Sequence, residues 1–242
     1  MKATGDGHTL KAFDDDLKDL HALVMEMGRL VEGQIQRAIR ALDDEDPTLA
    51  REVIARDQLV NDLDVKLDEE LVQLIARRQP VASDLRNVMT MNKTVTDLER
   101  VGDEARKLAA LVENFYGTSN TTSPNPNLVR DVRDLAEYGL GMLESVLDAF
   151  DRMDLQQAVE VINRDARIEE KFRGALRGLS TYVMEDSRTV GHMVDAVLCL
   201  RALERIGGHA KNIAGYVIYF TTARDVRHVD LETIVQEVLA AD

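Results

Sequence analysis

Cysteine, proline and aromatic residues are scarce in this chain of 242 residues, and each shortage excludes a class of protein. The single cysteine, Cys199, cannot form an internal disulfide, which argues against a disulfide-rich secreted domain. Because Cys199 lies in an apolar run, we expect a buried, unreactive thiol. Only four prolines occur and Trp is absent, whereas Leu, Ala, Val, Met, Glu and Arg abound. This composition is typical of long helices.

A net positive charge and long apolar runs are also missing. The formal net charge of −14 argues against nucleic acid, because such proteins need a basic face to neutralise phosphates. It equally disfavours an anionic membrane surface. No apolar stretch reaches the roughly 18–20 residues of a membrane-spanning helix, and the polar N-terminal segment MKATGDGHT does not resemble a signal peptide. We therefore expect a cytoplasmic protein that reaches the membrane only through partners.

Apolar residues recur at three- and four-residue spacing along almost the whole chain, which predicts helices and no strands. Asp46-Pro47 is a typical start of a helix, and Pro80 ends the helix that precedes it. The segment 117–127, GTSNTTSPNPN, is rich in turn formers and is predicted to be a linker. The predicted helices cover about 10–45, 47–78, 83–115, 128–151, 154–185, 188–221 and 229–240.

The two halves of the chain repeat one another. Residues 41–57 and 149–165 are identical at nine of 17 positions, and residues 98–105 and 203–210 at five of eight. A duplicated unit of three helices predicts two similar bundles packed side by side in an all-α protein. The predicted organisation is a disordered tail (1–9), the first three-helix repeat (10–116), a linker (117–127), the second three-helix repeat (128–228) and a C-terminal helix and tail (229–242).

Acidic residues within each repeat are spaced four apart, as Glu99 and Asp103 in the first and Asp165 and Glu169 in the second. Side chains four residues apart share one face of a helix, at about 6 Å. Like charges so placed cost the helix a few tenths of a kcal/mol, roughly, so we expect something to offset that cost.

Antiparallel pairing of the helices adds further polar residues to these faces. If the second and third helices fold back about Pro80, Asp57 lies opposite Asp103 and Asn61 lies opposite Glu99. In the second repeat the same reasoning places Asp165 opposite Gly208 and Glu169 opposite Glu204. Each half thus gathers four facing positions, of which three are carboxylates.

Clustered carboxylate oxygens suit a hard cation such as Mg²⁺, Ca²⁺, Mn²⁺ or iron. The alternative is a solvated, charged stripe with no ligand, neutralised by nearby arginines. The arginines in question are Arg56, Arg100, Arg164 and Arg205.

Catalytic motifs are missing from the sequence. The five histidines form no Glu-x-x-His pair, and the chain has no HExxH, phosphate-binding loop or nucleophile elbow. His209 is interpreted as structural. Gly102 and Gly207 lie mid-helix, where glycine costs about 1 kcal/mol relative to Ala, so we expect close helix packing at both. A binding protein is therefore favoured over an enzyme.

Five segments in order resemble the PhoU family, and the resemblance runs from about residue 13 to 229. These segments are DLERVGDEA (97–105), ALERIGGHA (202–210), ARRQPVASDLR (76–86), YVMEDSR (182–188) and YF…DVRHV (219–229). The resemblance implies two tandem antiparallel three-helix bundles related by a pseudo-twofold, in a cytoplasmic protein that is often a homodimer.

The resemblance also implies a function. Members of this family are negative regulators of the phosphate-starvation response, and they link a Pst-type phosphate ABC transporter, through its ATPase subunit, to a PhoR-type sensor histidine kinase. In that role they restrain phosphate uptake. The alternative, from another class, is a metal-binding protein or a metal-dependent phosphoester hydrolase that uses the carboxylates.

Some members of the family bind iron or zinc through E(D)xxxD motifs, and this resemblance can be transferred residue by residue. Glu99 and Asp103 match both acidic positions of the motif. Asp57 matches the first position, and Asn61 stands at the second. In the second repeat Asp165 and Glu169 match, and Glu204 does too. Gly208 stands where an aspartate is expected, so the second site should bind iron, zinc, manganese or magnesium more weakly than the first.

Overall fold

The computed structural model describes residues 6–117, 123–185, 190–226, 229 and 233, with the side chains of 6–10, 183 and 185 left out. This part of the chain forms six α-helices and contains no strand, which confirms the all-α prediction. The helices are α1 (Asp6–Asp43), α2 (Pro47–Arg78), α3 (Ala82–Tyr116), α4 (Pro126–Arg152), α5 (Leu155–Glu185) and α6 (Val190–Thr222).

Helix starts follow the capping residues and prolines. The carboxylate of Asp46 accepts hydrogen bonds from two backbone amides of α2, at 2.8 and 3.1 Å, and Pro47 occupies the first turn. Asn125 and Pro126 repeat the arrangement at α4. Asp154, the equivalent of Asp46 in the second repeat, accepts from a backbone amide of α5 at 3.0 Å. These contacts satisfy amides that have no partner within the helix.

Two predicted boundaries differ from the structure, and one predicted helix is not tested by it. Helix α1 begins at Asp6, so the disordered tail predicted for residues 1–9 is wrong for residues 6–9, where no proline stops the helix. Helix α4 begins at Pro126, two residues early, because proline suits a first helical turn. The C-terminal helix predicted at 229–240 lies almost entirely outside the described residues.

Helices α1, α2 and α3 form one bundle, and α4, α5 and α6 form a second. The bundles join mainly where α3 packs against α6, and α1 also contacts α4. Glu104 on α3 pairs with Arg205 on α6, whereas Phe115, further along α3, packs against His192, near the start of α6. The two helices are therefore antiparallel, which places the start of α3 and the start of α6 at opposite ends of the molecule.

Polar groups are buried between α3 and α6. The carboxylate of Asp97, 3% exposed, lies 2.7 Å from His209 Nδ1 and accepts hydrogen bonds from Asn212 and Tyr216 on α6. Nearby Glu104, 2% exposed, pairs with Arg205 at 3.1 Å. Buried carboxylates need such partners. The interpretation of His209 as a structural residue is thus confirmed, with Asp97 as its partner.

Cys199 is buried, as predicted. Burial raises the pKa of its thiol above the usual range, and the Glu104 carboxylate adds to the effect. Because the thiolate is the reactive form, the thiol is inert at neutral pH. None of the described helices combines the length and the apolarity that crossing a bilayer requires.

Candidate functional site

Helices α2 and α3 approach closely at Gly102. A Cβ atom built on this glycine would lie 3.5 Å from Asp57 Oδ1 and 3.4 Å from Val60 Cγ1. Asp57, 7% exposed, also accepts a hydrogen bond from Gln34 Nε2 on α1 at 3.2 Å. The predicted placement of Asp57 against α3 is therefore confirmed.

Arg106 joins the carboxylates of α2 and α3. Its Nε lies 3.4 Å from Asp57 Oδ2, and its Nη2 lies 3.4 Å from Asp103 Oδ1. Asp57 and Asp103 therefore share one guanidinium, which lowers the cost of holding two like charges together. The prediction that Asp57 faces Asp103 holds.

Proximity of the acidic residues alters their protonation. Burial raises the pKa of Asp57, and Asp103 raises it further, against the lowering effects of Gln34 and Arg106. Burial also raises the pKa of Glu99, with added contributions from Asp103 and Asp57. Both effects favour the neutral acid, which means that the ionised cluster is electrostatically unfavourable.

Asp64 is a member of this cluster that the sequence reasoning missed. It lies on α2, and its charge raises the pKa of Glu99. Burial and Asp68 raise the pKa of Asp64 itself. Asp64 lies two helical turns after Asp57, so extending the pairing of α2 with α3 by one turn past Asn61 would have found it. We name Asp57, Asp64, Glu99 and Asp103 the α2/α3 acidic cluster.

Carboxylates of the second repeat are paired individually with cations. Asp165 Oδ2 lies 2.6 Å from Lys211 Nζ, and Glu169 pairs with Arg173. Glu204 Oε2 lies 3.3 Å from Arg201 Nη1. The Asp165–Lys211 contact and the close approach of Gly207 to Ile168 together confirm the predicted antiparallel pairing of α5 with α6.

Gly208 leaves open space in the second repeat. A Cβ atom added there would meet nothing within 4 Å, so no side chain fills the place where the motif has an aspartate.

The carboxylates of the two repeats are poorly arranged to bind a metal ion. Within the described residues no group of three or more His, Cys, Asp or Glu side chains is positioned to hold an ion. In the α2/α3 acidic cluster the Arg106 guanidinium stands between Asp57 and Asp103, where a cation would bind. Metal binding through Asp57, Asn61, Glu99, Asp103, Asp165, Glu169 and Glu204 therefore remains a prediction.

Within the described residues, the four arginines expected to neutralise the acidic stripe form no ion pair with it. Arg164 donates to Gly141 O at 2.9 Å, and Arg205 pairs with Glu104. Arg100 lowers the pKa of Glu99 only as a nearby charge. The ion pairs come instead from four cations that the sequence analysis did not identify, which are Arg106, Arg173, Arg201 and Lys211.

The mid-helix glycines mark close packing, as predicted. A Cβ atom on Gly207 would lie 2.7 Å from Ile168 Cδ1 and 3.3 Å from Met142 Sδ. At Gly102 the corresponding neighbours are Val60 and Gln34, the equivalent residues of the first repeat. Both repeats therefore use one glycine to bring their third helix close to the other two.

Exposed apolar side chains gather near the two turns. Near the α2/α3 turn, Val81, Leu85 and Met89 follow one another at four-residue spacing and are 72%, 39% and 39% exposed. Near the α5/α6 turn, Val190 and Val194 occupy the positions equivalent to Leu85 and Met89 and are 49% and 63% exposed. We name these the α3 tip patch (Val81, Leu85, Met89) and the α6 tip patch (Val190, Val194, Leu198).

The two repeats correspond to a known domain. A family model described as the PhoU domain matches residues 24–112 and 132–217, one match in each three-helix bundle. The chain belongs to the PhoU family. The resemblance noted in the sequence is thereby confirmed, and the tandem arrangement of the two bundles agrees with it.

Relatives in the family are named for phosphate transport. The chain is 40% identical to the phosphate-specific transport system accessory protein PhoU of Escherichia coli K12 over 92% of its own length and 90% of the relative's. It is 39% identical to the protein of that name from Edwardsiella tarda, over 95% and 94%. The crystal structure of PhoU from Pseudomonas aeruginosa superposes with a TM-score of 0.82 at 39% identity, covering 88% of this chain and 100% of the other.

Proposed function

We propose that the protein is a cytoplasmic negative regulator of the phosphate-starvation response, which links a phosphate ABC transporter to a sensor histidine kinase and restrains phosphate uptake. Identity of about 40% to phosphate-specific transport system accessory proteins, over nearly the full length of both chains, carries the proposal.

The exposed apolar patches support a role in binding other proteins. Leu85 and Met89 share one face of α3, and Val190, Val194 and Leu198 share one face of α6, because side chains four residues apart lie on the same side of a helix. Exposed apolar surface of this kind is typical of interaction sites. The α3 and α6 tip patches lie at opposite ends of the molecule. Two separate ends suit a protein that contacts two partners, namely the transporter ATPase subunit and a PhoR-type kinase.

A genetic experiment tests the regulatory role. Deletion of the gene should switch on a phosphate-starvation reporter in phosphate-replete medium, and the wild-type gene should restore repression. Unchanged reporter expression in the deletion strain would refute the proposal.

A binding experiment tests the patches. Purified protein should retain the transporter ATPase subunit and the cytoplasmic part of the kinase in pull-down assays. Leu85→Glu and Val194→Glu should each reduce retention of one partner, because a charge in the centre of an apolar interface is costly to desolvate. Val65→Glu is the matched control, since Val65 is 58% exposed and lies outside both patches. Equal effects of all three changes would exclude the patches as the docking sites.

The same pull-down and a sedimentation measurement test the expected homodimer. Arg106 stands between Asp57 and Asp103, where a catalytic metal ion would bind, and this favours binding over the hydrolase alternative.

A further inference from the structure

A small pocket between α1 and α2 is lined by three arginines. Its volume is about 120 Å³, and Arg29, Arg37 and Arg56 line it together with Gly33 and Val60. No aspartate or glutamate lines it. This is unusual in a chain with 44 acidic and 30 basic residues, where the average surface is negative.

The three arginines lack carboxylate partners within the described part of the chain. Neither Arg37 nor Arg56 makes an ion pair or a hydrogen bond there. Arg29 acts on Glu32 only as a nearby charge, without an ion pair. Three guanidinium groups around one small pocket repel one another, and an anion among them would remove that repulsion.

The equivalent arginine in the second repeat is held by groups of its own bundle. Arg164, the equivalent of Arg56, donates hydrogen bonds to Gly141 O at 2.9 Å and to Ser145 Oγ at 2.8 Å. Its guanidinium also lies 5.1 Å from the centre of the Tyr138 ring. A Cβ atom added to Gly141 would lie 3.2 Å from Arg164 Nη2, so the arginine covers this glycine closely.

The first repeat lacks the groups that hold this arginine. Arg37 stands where the second repeat has Ser145, and Leu30 stands where it has Tyr138. Arg56 accordingly leaves the glycine uncovered, and a Cβ atom added to Gly33 would meet nothing within 4 Å. Compared with the second repeat, the first repeat therefore lacks the hydrogen-bond partners of this arginine and has one more arginine beside it.

We propose that this pocket binds a phosphate group. Guanidinium groups bind phosphate oxygens in a bidentate manner, and three of them carry more than enough positive charge to neutralise a phosphate dianion. Pockets for drug-sized ligands measure about 300–1,000 Å³, so a pocket of about 120 Å³ has room for a single phosphate group and not for a nucleotide. The site stands on the geometry of α1 and α2 and does not depend on the proposed regulatory role.

Titration calorimetry of the purified protein at low ionic strength tests the proposal, with sodium phosphate as the probe and sodium chloride of equal ionic strength as the blank. We expect one phosphate ion per chain. Arg56→Gln should weaken binding by about tenfold or more, because it removes one charged pair of donors. Arg77→Gln is the matched control, since Arg77 is an exposed arginine on the same helix outside the pocket.

A second variant keeps Arg56 and fills the pocket. Leu30→Tyr with Arg37→Ser restores the residues of the second repeat, so Arg56 should fold over Gly33 as Arg164 does over Gly141. Phosphate binding should be lost while the helical circular dichroism stays unchanged. This variant and Arg77→Gln each remove one positive charge, so a difference between them reports the pocket and not the net charge.

A phosphoserine peptide, titrated in parallel, identifies the source of the phosphate group. Tighter binding of the free ion assigns the pocket to inorganic phosphate, and tighter binding of the peptide assigns it to a phosphorylated protein segment. No saturable binding of either probe up to about 10 mM would overturn the proposal, as would equal weakening by Arg77→Gln. Repression of the reporter is measured separately, so failure of this site would leave the proposed regulatory function standing.

Discussion

Lys211 Nζ lies 2.6 Å from Asp165 Oδ2, in the position that Arg106 takes beside Asp57 in the first repeat. In each bundle, a cationic side chain on the third helix pairs with an aspartate on the second helix. That aspartate, Asp57 or Asp165, directly follows an arginine in both repeats. The duplicated unit therefore carries an ion pair between the same two helices in both copies. Around it the copies differ, since Asp103 is present only in the first and Gly208 replaces it in the second.

The two ion pairs differ in burial, and this difference predicts their contributions to stability. The side chain of Asp57 is 9% exposed and that of Asp165 is 30% exposed. Arg106→Ala leaves a buried carboxylate beside Asp103, so we expect it to lower the free energy of unfolding by about 1–3 kcal/mol at pH 7. Lys211→Ala leaves a carboxylate that water reaches, and we expect a loss below about 1 kcal/mol. Urea unfolding measures both values.

Acid should reduce the effect of Arg106→Ala. Without the guanidinium, the pKa of Asp57 rises further, so the carboxyl group is protonated and uncharged at a higher pH. The loss of stability should therefore be smaller at pH 4 than at pH 7. A loss that is equal at both pH values, or equal in Lys211→Ala, would show that Arg106 acts by packing and not by charge.

Glu99 should destabilise the fold when it is ionised. Burial, together with Asp103 and Asp64, raises its pKa in the folded state, so the folded protein holds this proton more strongly than the unfolded chain does. Stability from this group is thus complete below the unfolded pKa and decreases as the pH rises through the folded pKa. Glu99→Gln should stabilise the protein at pH 7 by about a few tenths of a kcal/mol, with no gain near pH 4.

Thermal unfolding at the two pH values checks this prediction. Glu113→Gln serves as a control, because Glu113 pairs with Arg51 and its replacement should give no gain at pH 7. A Glu99→Gln protein that is less stable at pH 7 would mean that the Glu99 carboxylate has a favourable partner.

The helices and their pairing could be predicted from the sequence, because apolar spacing and capping residues are local signals. Asp46 and Pro47 were enough to predict the start of α2. The turn at Pro80 was enough to predict that Asp57 lies opposite Asp103. The N-terminus of α1 was predicted less well, because no proline precedes Asp6, where the helix begins.

The partners of the acidic residues were harder to predict, since long side chains reach neighbours that spacing does not specify. Arg106 can extend towards α2 or towards solvent, and only packing decides between them. Arg164 lies one residue before Asp165 and still bonds to Gly141 on another helix. Likewise, the partner of His209 is Asp97 in the other bundle, and no pattern within one repeat reports contacts between repeats.

Divalent-ion binding at the α2/α3 acidic cluster should be limited by Arg106. A cation would have to displace the guanidinium from Asp57 and Asp103, so we expect calorimetry with MnCl₂ to show weak binding by the wild-type protein. Arg106→Gln should strengthen binding by about tenfold, and Glu99→Gln should weaken it. An unchanged affinity in Arg106→Gln would place any bound ion elsewhere.

Gly207 and Gly208 are adjacent in α6, and alanine at these two positions should have opposite effects. A Cβ atom on Gly207 would lie 2.7 and 2.9 Å from two carbons of Ile168, whereas a Cβ atom on Gly208 meets nothing within 4 Å. Alanine is favoured over glycine in a helix by about 1 kcal/mol, so Gly208→Ala should stabilise the protein by up to that amount.

At Gly207 the gain in helix propensity from alanine is opposed by the cost of overpacking the interior. Forcing a methyl group into a packed interior costs about 1–3 kcal/mol, and Ile168 is 1% exposed with little room to move. Gly207→Ala should therefore lower the free energy of unfolding by about 1–2 kcal/mol. Adding Ile168→Val, which removes the nearest carbon, should recover part of that loss in urea unfolding. If Gly207→Ala proved as stable as Gly208→Ala, close packing of α6 against α5 would not be the reason for glycine at this position.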